Sequence, residues 1–129
     1  MKIRAKKPPL TVAYCHCMDC RRVTGAPVGA FAAFRPDDVS WDTEPGEGRS
    51  HHAGVVRWNC GDCGSPLAAT YDYLPDQIYI PVGLFDNPDA LPPDLHAHHN
   101  DRISWLHLSD TLPRHNASSR DSLNEAQGD

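Results

Sequence analysis

Five cysteines fall in two tight clusters, Cys15-His16-Cys17-Met18-Asp19-Cys20 and Cys60-Gly61-Asp62-Cys63-Gly64. Thiolates one or two residues apart aim their sulfurs at a common point, which is what tetrahedral Zn²⁺ requires. Metal binding is therefore the predicted chemistry, and two counts of the sites are open. In the first, Cys17-x-x-Cys20 and Cys60-x-x-Cys63 close one four-thiolate ribbon, a structural site with no room for substrate, and Cys15 is surplus. In the second, Cys15, Cys17 and Cys20 share one zinc whose fourth position is left for water or a substrate atom, as catalytic zinc sites do. Cys60 and Cys63 then form half of a second site. Two thiolates hold zinc weakly unless other ligands complete the set, and the available substitutes are His51, His52, His96, His98 and His99.

Short strands and turns must position these ligands. Thr11 to Tyr14 reads as a strand that delivers the first cluster, limited at its start by Pro8-Pro9. Cys17 to Thr24 suits one or two helical turns stopped by Gly25 and Pro27, which puts Cys17 and Cys20 on one face. Further strands are expected at Gly29 to Phe34, Val39 to Trp41, Val55 to Trp58, Leu67 to Tyr71 and Gln77 to Val82. The glycine-bearing run from Gly46 to Gly54 is a loop, and Asp72 to Asp76 reads as a hairpin connection. Asp86 to His99 should cross the surface before Ile103 to Leu108 returns as a strand, with Trp58 and Trp105 in the core. Residues 1–115 form the domain, and 116–129 are small and polar, a disordered tail.

A chain of 129 residues fits one domain, and its 12 prolines and 9 glycines favour a mainly β fold with few short helical turns. The net charge of −5 and the single small basic run, Lys2, Arg4, Lys6 and Lys7, exclude a nucleic-acid partner. Neither a membrane span nor the apolar segment of a signal peptide is present, and cysteines at such close spacing suit metal ligation in a reducing compartment, so the cytoplasm is expected.

Six motifs occur in order: Cys15-His16-Cys17-x-x-Cys20-Arg21-Arg22, Thr24-Gly25-Ala26-Pro27, Cys60-x-x-Cys63-Gly64-Ser65-Pro66-Leu67, Gly83-Leu84-Phe85-Asp86-Asn87-Pro88, Ser104-Trp105-Leu106 and Asp110-x-Leu112-Pro113. Together they resemble the glutathione-dependent formaldehyde-activating enzyme family, which includes centromere protein V. The resemblance implies a β-tent fold of antiparallel sheets around zinc, similar to methionine sulfoxide reductase B. It also implies the three-plus-two division, with the catalytic-type zinc on Cys15, Cys17 and Cys20. In family members a second zinc takes the later pair, here Cys60 and Cys63, together with an N-terminal Gly-x-Cys-x-Cys-Gly segment, which this sequence lacks. Either the start was assigned too late, the favoured reading, or the chain is a natural variant with a weakened second site.

The activity that the resemblance implies is a carbon–sulfur lyase acting on thiol–aldehyde adducts of the S-hydroxymethylglutathione type, with glutathione and a small aldehyde as partners. Arg21 and Arg22 flank the first knuckle and match substrate carboxylates, and Thr24 and Gly25 shape the pocket edge. Asp86 and His96 are candidates for proton transfer, though a surface turn and a solvated imidazole are the plainer readings. The alternative function is a zinc-stabilised binding or scaffold domain without turnover. A methionine sulfoxide reductase needs a redox cysteine outside the metal set, and none remains.

Overall fold

The computed structural model describes residues 2–50 and 52–118, so His51 and most of the polar tail lie outside the described residues. The fold is mainly β. In chain order the elements are β1 (Ile3–Ala5), β2 (Thr11–Cys15), α1 (Met18–Thr24), β3 (Gly29–Phe34), β4 (Val39–Trp41), β5 (Val55–Asn59), β6 (Pro66–Tyr71), β7 (Leu74–Pro81) and β8 (Leu95–Ala97), with short 3-10 turns between them. Six strands make one sheet in the order β5-β6-β7-β3-β2-β8, and β1 and β4 make a second, two-stranded sheet. Every pairing is antiparallel except β2 with β8. Among the described residues no helix is long and apolar enough to cross a membrane.

Because successive side chains in a strand point to opposite faces, the register sorts the large sheet into two surfaces. One carries Val12, Ala32, Phe34, Ala68 and Ile80, which form the main core, and Ile3, Val39 and Trp41 of the small sheet pack against it. Register aligns Ala13 with Phe31, Phe31 with Pro81 and Ala69 with Tyr79, so these residues share the other surface with Cys15, one pair further along β2. That second surface is the one the functional site occupies.

Three expectations are corrected. Ile103 to Leu108 is not a strand, and Trp105 is 65% exposed rather than in the core. The added strand is instead β8, inside the stretch expected to cross the surface, where Leu95, His96 and Ala97 are all buried. Asp94 seats it by accepting the Val12 N–H at 3.1 Å and donating its own N–H to the Val12 carbonyl at 2.6 Å. The outer edge of β8 is then covered: the His96 N–H donates to Pro113 O, and the His115 N–H to His96 O. Finally, β7 starts at Leu74 rather than Gln77, because Leu74 is buried and pairs with Tyr71 across a two-residue turn. Pro75 enters this strand beside a register shift, where the ladder hydrogen bond it cannot donate is not required.

Candidate metal centre

β2 ends on Cys15, opposite Gly29 of β3 and beside Ala97 of β8. Two residues on, Cys17 caps α1: its Sγ accepts the Cys20 N–H at 3.3 Å, which ties the second and third thiols into one helical turn. Gly25 closes the helix at φ +69°, a left-handed conformation that side chains resist, with its N–H on the Arg21 carbonyl. A strand end and a helix start therefore bring Cys15, Cys17 and Cys20 to one point, with all three Sγ atoms within 4.8 Å of one another.

Cys20 Sγ lies 2.7 Å from Cys15 Sγ, and Cys15 Sγ lies 3.4 Å from Cys17 Sγ. Tetrahedral zinc with Zn–S of about 2.3 Å separates its sulfurs by roughly 3.8 Å, so small rotations suffice for all three to share an ion. The electrostatics favour the same outcome. Hydrogen bonds from the Cys15 and Cys20 thiols pull the Cys17 thiol down to about 2. The bond to Cys17 pushes Cys15 up to about 12, and the bonds to Cys15 and Cys17 together with burial push Cys20 up as well. Without a cation the cluster carries one negative charge readily and resists a second. A divalent ion removes that resistance. The donor set thus fits zinc, and the three cysteines that would hold it line a cavity.

That cavity, of about 200 Å³, lies on the second surface of the large sheet and joins the three thiols to Phe31, Arg57, Tyr71 and Tyr73. Arg57 pairs with Ala69 across β5 and β6 and so points to the same surface as Cys15. It makes no ion pair among the described residues. Burial, and then the nearby Cys20 thiol, raise the Tyr71 hydroxyl above its ordinary range, and burial followed by the three thiols does the same to Tyr73. Both remain protonated donors. Asp19 and His52 approach each other at 3.6 Å, and His98, in the left-handed region at φ +52°, also lines the cavity.

Of the residues expected at the pocket edge, Arg21, Arg22, Thr24 and Gly25 do not line this cavity. Arg21 is occupied elsewhere, its Nη1 donating to the His16 and Asp101 carbonyls at 2.6 Å each, and Arg22 is exposed on the helix. Thr24 Oγ1 donates to the Cys20 carbonyl and accepts the Ala26 N–H, which fastens the end of the helix. Asp86 is exposed, whereas His96 is 1% exposed and not solvated. The residues that sequence reasoning missed are Arg57, Tyr71 and Tyr73. Arg57 was legible in principle, since a lone charge in Val55-Val56-Arg57-Trp58 must face away from the core that Trp58 joins. The described start of the polar tail also contributes: the His98 N–H donates to Ala117 O, and Ser118 lines the cavity.

The second cluster is built differently. Cys60 and Cys63 sit in the turn between β5 and β6, where the Gly64 N–H returns to the Cys60 carbonyl at 2.9 Å with Gly64 at φ +77°. Cys63 is exposed, its Sγ is 3.1 Å from Ser65 Oγ, and that contact lowers the thiol's pKa below its ordinary value. Among the described residues no third ligand atom joins this pair, and the pair does not join the first cluster, so a four-thiolate ribbon does not form.

Residues 1–101 match the family described as glutathione-dependent formaldehyde-activating enzyme. No curated protein matches the chain. A crystal structure of a Rhodobacter sphaeroides protein is similar over 66% of this chain and 77% of that one, at 19% identity and a TM-score of 0.49.

Proposed function

The chain belongs to the glutathione-dependent formaldehyde-activating enzyme family, and on that premise we propose that it is a zinc-dependent carbon–sulfur lyase acting on thiol–aldehyde adducts of the S-hydroxymethylglutathione type. The observation that carries this reading is the joining of three convergent thiols, two protonated tyrosines and an arginine with no ion pair among the described residues in a single cavity. Zinc held by Cys15, Cys17 and Cys20 would supply the positive charge that keeps a substrate sulfur deprotonated at neutral pH. We assign Arg57 to a substrate carboxylate, which its fork geometry suits, and Phe31 to excluding water from the reacting atoms.

In the synthetic direction the substrate sulfur attacks the aldehyde carbon, a carbon–sulfur bond forms, and the carbonyl electron pair moves onto oxygen. A tyrosine hydroxyl, Tyr71 or Tyr73, donates a hydrogen bond to that oxygen as charge develops, and the oxygen then takes a proton from water, matching the one the thiol gave up to solvent on ionising. Cleavage is the reverse. The β-tent description and a second zinc on Cys60 and Cys63 belong to the same reading, the latter requiring ligands from outside the described residues. Free thiols throughout suit a reducing compartment, and we assign the cytoplasm.

Exchange between free and adducted formaldehyde in glutathione solution, followed by NMR, tests the proposal. The zinc-loaded protein should accelerate exchange over the spontaneous rate, and Cys17→Ser should not. A zinc-loaded protein with no acceleration would instead support the alternative, a binding domain without turnover.

A further inference from the structure

The residue between two of the proposed ligands faces the opposite way. His16 is 2% exposed and lines a second cavity, of about 260 Å³, together with His96, His99, Arg102 and Arg114. Tyr14 and its β8 partner His96 lie on the sheet surface opposite Cys15, so the tip of β2 separates this cavity from the thiol cavity.

The cavity is basic in a chain whose net charge is −5. Two arginines and four histidines, His107 among them, contribute to its wall, and among the described residues no carboxylate side chain does. Asp110, which contacts the wall from behind, is already saturated: it bonds His96 Nε2 at 3.0 Å, Arg114 Nη1 at 2.9 Å and the Leu112 N–H at 3.0 Å. With His96 neutral, these bonds set the direction of the histidine chain, since the roles of its ring nitrogens follow its protonation state. With Asp110 accepting from His96 Nε2–H, His96 Nδ1 accepts from His16 Nε2–H at 2.8 Å, which leaves His16 Nδ1 as a buried lone pair with no partner. The inner wall therefore offers no donor to an anion. The outer wall does: Arg102 uses one N–H on the His99 carbonyl at 3.2 Å and makes no ion pair among the described residues. Its charge is felt at the wall, since burial and then Arg102 hold His99 below its ordinary range.

We propose that this cavity binds a small organic carboxylate, with Arg102 as the anchoring cation and Leu106 and Leu108 as the apolar bed for the ligand's carbon body. A volume of about 260 Å³ is several times that of one water, at roughly 30 Å³, so the space suits a short carbon chain better than a lone inorganic ion. The site is separate from the thiol cavity and does not depend on the lyase reading.

The test is calorimetric titration of the zinc-loaded full chain at fixed ionic strength with succinate, neutral succinamide and inorganic phosphate. Succinate should bind and succinamide should not, with Arg102→Gln weakening succinate at least tenfold, Arg102→Lys less, and Arg57→Gln leaving it unchanged. Arg102 is exposed, and an unaltered thermal midpoint would show that its variants fold. Four results would overturn the proposal: no succinate binding, equal binding of succinamide, tighter binding of phosphate than of succinate, or a loss that follows Arg57 rather than Arg102.

Discussion

The two cysteine knuckles share the Cys-x-x-Cys spacing and differ in everything that surrounds it. The first is carried on a strand end and a helix cap, is half to fully buried, and gathers a third thiol from the preceding strand. The second sits in a hairpin turn with one thiol exposed and, among the described residues, no third ligand. Spacing aims sulfurs at a common point, but neighbouring elements decide whether enough of them arrive and whether water is kept out. The first knuckle also has a buttress that the second lacks: His16, between Cys15 and Cys17, is hydrogen-bonded to His96 and through it to Asp110.

The largest expected difference between the knuckles is in metal affinity. A four-ligand structural zinc site is worth about 10–16 kcal/mol, so one ligand carries roughly 3 kcal/mol, or about two orders of magnitude in affinity. Cys17→Ser should therefore weaken zinc at the first knuckle about 100-fold and remove the rate acceleration, measured by chelator competition and by formaldehyde exchange. Equal zinc losses from Cys17→Ser and Cys63→Ser would erase the distinction between the knuckles.

Next in size is Arg57→Gln. A hydrogen bond to a charged group contributes about 1.5–3 kcal/mol, and at this half-buried position the low end applies, so KM for glutathione should rise about tenfold with kcat changed far less. KM for glutathione diethyl ester, which offers Arg57 no carboxylate, should not rise; an equal rise for the ester would mean loss of structure rather than of charge recognition.

The buttress predicts a pH signature. Burial opposes ionisation of Asp110, but bonds from His96, the Leu112 N–H and Arg114 outweigh it and hold the carboxyl at about 2. A carboxylate with a depressed folded value stabilises the protein above its unfolded value, near 3.9, and that stability is lost as pH falls through about 2. Wild type should thus exceed Asp110→Asn in urea midpoint by a constant margin above about pH 4, shrinking to nothing towards pH 2. A margin independent of pH would show that the buttress acts through packing alone. The smallest effect belongs to the second knuckle: Cys63→Ser should change activity less than about twofold, because Cys63 is exposed and does not line the thiol cavity. In protein carrying zinc at the first knuckle alone, the exposed Cys63 thiol, whose pKa is lowered, should also be the first modified by iodoacetamide, read by peptide mass mapping.

Much of this contrast was legible in the residues. Strands β3 and β4 and the helix fall within a residue of where their aromatic and small side chains, cap and stop signals indicate, and the three-thiol cluster forms as Cys15-x-Cys17-x-x-Cys20 implies. β8 was not legible. It is three residues long, follows Pro92-Pro93 and centres on a histidine, and it becomes a buried strand only through Asp94, Asp110 and β2, partners remote in sequence. Ile103 to Leu108 shows the converse, an apolar run that finds no neighbouring strand and leaves Trp105 exposed. The cavity wall was hidden for a related reason: Arg57, Tyr71 and Tyr73 reach the thiols only once strand register brings β5, β6 and β2 onto one surface.

Zinc K-edge absorption on wild type and on the Cys60→Ser/Cys63→Ser variant, before and after glutathione, tests the open three-thiolate site most directly. The first-knuckle zinc in the double variant should show three sulfurs at about 2.3 Å and one light atom, rising to four sulfurs when glutathione is added. Four sulfurs in wild type without glutathione, together with loss of the ion in the double variant, would mean that the two knuckles close on a single metal.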